Sequence, residues 1–140
     1  MRIVIRSVCA AGQRGQMGLR GQLPWEGFPD PIFAEDGARF FDLTRGHVLL
    51  AGPKTFESIP DYALTDRTVV CIRSDSAPAD VIARFSDRII FICGGSAVWD
   101  AYAPLIGHWD ISRLPYDGEA DRWFDSAWLT SGSTARLRQA

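Results

Sequence analysis

Short apolar runs rich in β-branched residues recur along this chain, and the segments between them carry helical periodicity. Arg2 to Ala11 (R-I-V-I-R-S-V-C-A-A), His47 to Ala51, Thr68 to Ile72 and Arg88 to Cys93 are the clearest runs. Each suits a strand covered on both faces of a parallel sheet, with the first expected at its centre. His108 to Leu114 and Trp123 to Thr130 are expected to add further strands. Between them, Ala34 to Thr44 mixes Ala38, Phe40, Phe41 and Leu43 with Glu35, Asp36, Arg39 and Asp42, the pattern of an amphipathic helix. Gly27, Pro29 and Pro31 are expected to delay that helix until about Phe33, and Gly46 to end it. Shorter helices are expected from Gly52-Pro53-Lys54-Thr55 through Ser58, over Ala79 to Ser86, and over Ala97 to Tyr102. Strands alternating with short helices predict an α/β fold with a largely parallel sheet. With 140 residues and no repeat or linker, residues 1–140 are expected to form one domain.

Charge and cysteine usage narrow the partners. Fifteen Lys and Arg against seventeen Asp and Glu give a net charge of -2 without a basic run, which disfavours nucleic acid. No apolar stretch approaches the roughly 18 to 20 residues of a membrane span, and the first ten residues lack a signal-peptide core, so a cytoplasmic protein is expected. Cys9, Cys71 and Cys93 form no Cys-x-x-Cys pair and sit in strand-like runs, where buried free thiols are expected. His47 and His108 are far apart, so no spaced metal-ligand set is expected.

Several segments could carry chemistry. Gly94-Gly95 joins a buried run to a helix, a junction where backbone N–H groups and the helix dipole can receive a phosphate. Glycine at such a turn can equally serve tight geometry alone. Ala51-Gly52-Pro53-Lys54-Thr55 repeats the arrangement and adds a cation and a hydroxyl, so two junctions on one sheet would suit a dinucleotide. Asp36, Phe40 and Thr44 share one helix face at a spacing of four. Asp36 is either a first-turn partner of the helix dipole or a carboxylate held in an apolar pocket, where it could pair with an amidine-like N–H edge. Trp25, beside Pro24, is a core anchor or a ligand contact, and the Gly-rich stretch from Gly12 to Gln22 before it could act as a lid. Arg67, just before a strand, is an edge charge or a carboxylate clamp. The polar tail from Ser131 to Ala140 is expected to be flexible.

Taken in order, these segments resemble the dihydrofolate reductase family over nearly the whole chain. The carriers are Gly18-Leu19-Arg20-Gly21-Gln22-Leu23-Pro24-Trp25, the helix with Asp36, Phe40 and Thr44, Gly52-Pro53-Lys54-Thr55-Phe56-Glu57-Ser58-Ile59, Gly94-Gly95-Ser96-Ala97-Val98-Trp99, and Ser112 with Asp121 to Phe124. The resemblance implies a three-layer sandwich and hydride transfer from a reduced nicotinamide to C6 of a 7,8-dihydropterin, with protonation at N5 and no metal. Asp36 would hold the 2-amino and N3 edge of the pterin, Ser112 would hydrogen-bond to that carboxylate or the pterin, and Trp25 would position a water. Phe40, Ile59, Leu64 and Cys93 would line the substrate cleft, and Arg67 would grip a substrate carboxylate. Gly94, Gly95, Ser96, Ala97 and Val98 would cradle the pyrophosphate beside Gly52, with Lys54 and Thr55 on the other phosphates. Met17, Gly18 and Leu19 belong to a loop, Met17 to Gln22, that would close over the nicotinamide.

The departures from the family pattern are informative. Pro53 stands where a cation for the 2′-phosphate of NADPH is usual, which weakens a strict requirement for NADPH; with Lys54 and Arg73 as replacement cations NADPH is the expected cofactor and NADH is also compatible. Gly37 replaces a larger apolar residue and widens the pterin pocket. Only sixteen residues follow Phe124, too few for the usual closing hairpin, so the sheet is smaller or a second copy in a homodimer covers its edge. These features are similar to a smaller branch, the short dihydromethanopterin reductases of methylotrophic bacteria, which makes dihydromethanopterin the expected substrate and dihydrofolate the runner-up. A ribosylaminopyrimidine reductase of flavin synthesis and a non-catalytic pterin or nucleotide-binding module are the further alternatives.

Overall fold

The computed structural model describes residues 4–139. Its elements are β1 (Val4–Ala11), β2 (Gln16–Gly18), α1 (Pro31–Thr44), β3 (Val48–Ala51), α2 (Pro53–Ser58), β4 (Thr68–Cys71), α3 (Pro78–Ala83), β5 (Ile89–Ile92), α4 (Ser96–Tyr102), β6 (His108–Arg113), β7 (Arg122–Trp123) and β8 (Thr134–Gln139). Single 3-10 turns lie at Asp61–Leu64, Ala103–Leu105 and Ser126–Trp128. Arg2 and Ile3 of the expected first strand, and Ala140 of the tail, lie outside the described residues.

Six strands form one sheet in the order β4-β3-β5-β1-β6-β8, every neighbouring pair parallel. Both faces are covered, which explains the mostly apolar runs. Val48, Leu50, Ile90, Ile92, Trp109 and Ile111 pack on one face with residues of α3 and α4, and Val8, Leu49 and Phe91 pack on the other with Phe40 of α1. The architecture is a three-layer α/β sandwich. Three tryptophans share the first core: Trp109 and Trp128 are stacked at 6.1 Å, and Trp99 lies 5.3 Å from Trp128. Trp99 Nε1 donates to Ser7 Oγ at 2.9 Å, and Ser7 Oγ donates to the Ile92 carbonyl at 3.0 Å, so a buried hydroxyl links helix to sheet.

Three expectations require correction. Helix α1 starts at Pro31, earlier than Phe33, because Asp30 accepts from the Ile32 N–H as N-cap and Pro31 occupies the first helical position. Proline is favoured there because the N–H it lacks would have no intrahelical partner. The segment Trp123 to Thr130 is not a strand: only Arg122–Trp123 pairs, antiparallel to β2, and Asp125 then caps the 3-10 turn that buries Trp128. The tail expected to be flexible contains β8, paired along its length with β6.

Candidate active site

Helix α1 packs through Phe40 on the face of the sheet that carries Val8, Leu49 and Phe91, and it bears the carboxylate that sequence reasoning singled out. The Asp36 side chain is 14% exposed and lies past the first turn, so pairing with the helix dipole does not account for it. Its face of the sheet also carries Ser112, which is 1% exposed and in register with Ala10 of β1. Among the described residues Ser112 makes no hydrogen bond to Asp36. Phe40, Ile59 and Cys93 pack around Val8, Leu49 and Phe91 and form an apolar wall nearby. Burial pushes the Cys93 thiol up to about 12, so it stays neutral, donating weakly to the Leu50 carbonyl at 3.3 Å. Cys9 is also raised, first by burial and then by the negative charges of Asp110 and Asp36.

The outer side of α1 borders a groove of about 420 Å³ lined by Ala34, Gly37, Ala38, Phe41, Asp42, Arg45 and Tyr62. Gly37 faces this groove, and a Cβ added there would meet nothing within 4 Å. Leu64, in the same 3-10 turn as Tyr62, is 43% exposed.

Arg67 corrects an expectation, because its guanidinium is not presented to this groove. Its side chain is 0% exposed. Nε and Nη2 donate to Asp66 Oδ1 at 2.9 and 2.7 Å, and Nη1 donates to the Phe41 carbonyl at 2.9 Å and to Thr44 Oγ1 at 2.6 Å. Arg67 therefore clamps the last turn of α1, and its own neighbour Asp66 takes the bidentate position that a ligand carboxylate would need. The cation on the groove is Arg45, paired with Asp42 at 3.2 Å and Asp66 at 3.1 Å. Hydrogen bonds from Arg67 hold the Asp66 carboxyl below its ordinary value, with Arg45 adding to the effect.

The two glycine junctions meet because β3 and β5 are neighbours. The Gly52 N–H donates to the Gly94 carbonyl at 2.8 Å, and the Gly94–Gly95 peptide is cis. A Cβ on Gly52 would come within 3.1 Å of Val98 Cγ2, and one on Gly95 would meet only Thr55 Oγ1, at 3.7 Å. The result is a shallow backbone cradle bordered by Thr55, with α2 and α4 both starting without a side-chain cap bond. Such a cradle fits the phosphates of a dinucleotide, since uncapped N–H groups and close backbone approach are what phosphate oxygens need. Lys54 and Arg73 are exposed, at the start of α2 and after β4 respectively, and Pro53 removes one donor from α2.

Met17 and Gly18 lie in β2, and the segment beyond them is tied down. Leu19 and Gln22 form a bridge around Arg20 and Gly21, both at positive φ. Asp121 donates its N–H to the Gly18 carbonyl at 2.8 Å, and its Oδ2 accepts from the Arg20 N–H at 3.0 Å. Trp25 is 4% exposed and lies 5.9 Å from Phe33 and 5.8 Å from Tyr116, so it anchors an aromatic cluster at the entry to α1.

Sequence reasoning missed a set of charges at this site. Arg39 Nη2 donates to Asp110 Oδ2 at 2.7 Å, and Arg138 Nη2 lies 3.8 Å from Asp36 Oδ1. The period-2 pattern of Thr-Ala-Arg-Leu-Arg-Gln was the available signal for the strand that carries Arg138.

Comparison with known proteins bears on the family and the fold. The family described as dihydrofolate reductase matches residues 4–133. The chain is 61% identical over 130 residues to the dihydromethanopterin reductase of Methylorubrum extorquens, covering 93% of this chain and 96% of that one. It is 29% identical over 150 residues to dihydrofolate reductase 1 of Haloarcula marismortui, covering 84% of this chain and 76% of the other. Among solved structures, the dihydrofolate reductase from Enterococcus faecalis complexed with NADP(H) and RAB-propyl superposes with a TM-score of 0.70 at 22% identity, over 87% of this chain and 77% of that one.

Proposed function

The chain belongs to the dihydrofolate reductase family, and within it we propose that this protein reduces dihydromethanopterin to the tetrahydro form with a reduced nicotinamide. The observation that carries the reading is the placing of Asp36, a carboxylate 14% exposed, beside an apolar wall on a sheet that also carries a backbone cradle at Gly52 and Gly94-Gly95. A reduced nicotinamide supplies the hydride that a 7,8-dihydropterin accepts at C6, the carbon of its C6=N5 bond. Asp36 accepts hydrogen bonds from the 2-amino group and N3 of the pterin, fixing which face and which bond are presented. Its negative charge favours the protonated imine, which is the better hydride acceptor. Phe40, Ile59 and Cys93 keep water from the ring, and Ser112 lies on the same face.

The 61% identity to the Methylorubrum protein supports dihydromethanopterin, and so does the way Arg67 is used. With Asp66 already on its fork, Arg67 has no bidentate site for the tail carboxylate of dihydrofolate. NADPH is the proposed cofactor, with the exposed Lys54 and Arg73 as the cations for its phosphates. The test is oxidation of NADPH and of NADH by the purified protein, with dihydromethanopterin and dihydrofolate offered separately. Turnover with dihydromethanopterin, lost by more than about a hundredfold in Asp36→Asn at unchanged cofactor affinity, is expected. Near-normal turnover in Asp36→Asn would remove Asp36 from the site, and turnover with dihydrofolate alone would overturn the choice of substrate.

A further inference from the structure

We propose that Arg138 is a substrate-binding residue that donates a hydrogen bond to the pterin edge next to the groups held by Asp36. The inference rests on the dihydropterin reading above.

Strand β8 lies parallel to β6 with Arg138 opposite Ser112, and neighbouring residues in a parallel pair point to the same face. Arg138 therefore enters the α1 side of the sheet from its edge. Its Nη2 lies 3.8 Å from Asp36 Oδ1, close enough for charge pairing and longer than a direct hydrogen bond. The carboxylate thus keeps its lone pairs for a ligand. Arg138 Nε is buried and has no partner among the described residues, although the residue as a whole is half-exposed. The adjoining pair is different in kind: Arg39 and Asp110 are joined directly at 2.7 Å. Nε is closed to a ligand, but the side chain is 37% exposed, so the guanidinium Nη groups remain open to an acceptor, and beside a ligand-holding carboxylate a ligand acceptor gives them a charge-assisted bond.

A pterin supplies that acceptor. On its pyrimidinone edge the 2-amino group and N3–H donate, and they are flanked by acceptors, the 4-oxo oxygen on one side and N1 on the other. A carboxylate alone reads only the two donors. A carboxylate with an arginine donor at its side reads a donor-donor-acceptor sequence.

The experiment compares wild type, Arg138→Gln and Arg138→Lys in steady-state turnover with dihydromethanopterin and NADPH. Thermal unfolding and direct titration with 7,8-dihydropterin are run alongside. In Arg138→Gln the dihydropterin KM should rise roughly tenfold to a hundredfold, with the cofactor KM and the unfolding temperature unchanged, as for a lost charge-assisted bond. Arg138→Lys should recover part of the loss, because it keeps the charge beside Asp36. A dihydropterin KM within about twofold of wild type overturns the proposal, as does a loss shared with the cofactor and accompanied by a lowered unfolding temperature. Should the wild type bind pterin without turning it over, the reductase reading fails and the dissociation constants still decide Arg138. No pterin binding overturns both.

Discussion

Replacing Arg67 with Met separates a structural clamp from a substrate contact. Methionine keeps most of the buried aliphatic volume and the contact with the Phe41 ring, over which the guanidinium carbon sits at 5.3 Å. What disappears is the pair of Nη1 bonds to the last turn of α1, at 2.9 Å to the Phe41 carbonyl and 2.6 Å to Thr44 Oγ1. Charged-donor bonds of this kind contribute roughly 1.5 kcal/mol each at the lower end, so a loss of about 3 kcal/mol is expected. The bonds from Nε and Nη2 to Asp66 are lost as well, so that figure is a lower bound, although water and Arg45 take up part of the exposed carboxylate. For a chain of this length the loss corresponds to a fall of about 10 °C in Tm. The assay is thermal unfolding followed by circular dichroism, together with the dihydropterin KM at a temperature where both proteins are folded. The clamp predicts the fall in Tm with the KM changed by less than about threefold. A Tm within about 2 °C of wild type together with a KM raised more than tenfold would refute the reasoning, because Arg67 would then be spending its charge on the substrate.

Three further outcomes follow from other positions. Gly94 sits at φ 98°, and a Cβ there would lie 2.8 Å from Trp99 Cη2, so Gly94→Ala should cost about 3 kcal/mol or more in urea unfolding. Tyr102 is 1% exposed and its hydroxyl has no partner among the described residues, so Tyr102→Phe should gain on the order of 1 kcal/mol in the same assay. Asp66 has a carboxyl lowered from 3.8 in the folded state, so its contribution is complete above pH 3.8 and fades as the pH falls through the lower folded value. Asp66→Asn should accordingly flatten the acid limb of a stability-against-pH curve, and an unchanged limb would show that the pairing with Arg67 does not matter.

The sheet was legible because buried strands advertise themselves. His47 to Ala51 and Arg88 to Cys93 are apolar throughout or nearly so, and a position covered on both sides has little choice. Both glycine junctions were legible for a related reason, since backbone that must approach backbone excludes side chains. The start of α1 was ambiguous: Pro31 reads as a breaker until Asp30 is recognised as its cap. Strand β8 was hidden by its exposure, because Thr134, Ala135, Arg136 and Leu137 bury little and leave only a faint alternation. The role of Arg67 could not be read at all from sequence. Its partners Phe41 and Thr44 are more than twenty residues away, and whether an arginine faces a ligand or a helix end depends on which acceptor the fold brings to it.

The meeting of the two glycine junctions also bears on how this chain can drift over many generations. A methyl at Gly52 is resisted by one contact, Val98 Cγ2 at 3.1 Å, which must give way by a few tenths of an ångström, while the neighbouring backbone atoms stand at 3.6 and 3.7 Å. Position 98 thus sets the cost of a side chain at position 52. Trimming Val98 to Ala would remove the crowding before Gly52→Ala is made, whereas the same two changes in the opposite order pass through a crowded intermediate. The pair should behave as a ratchet, with the order of substitution deciding which sequences are reachable and with costs that do not add.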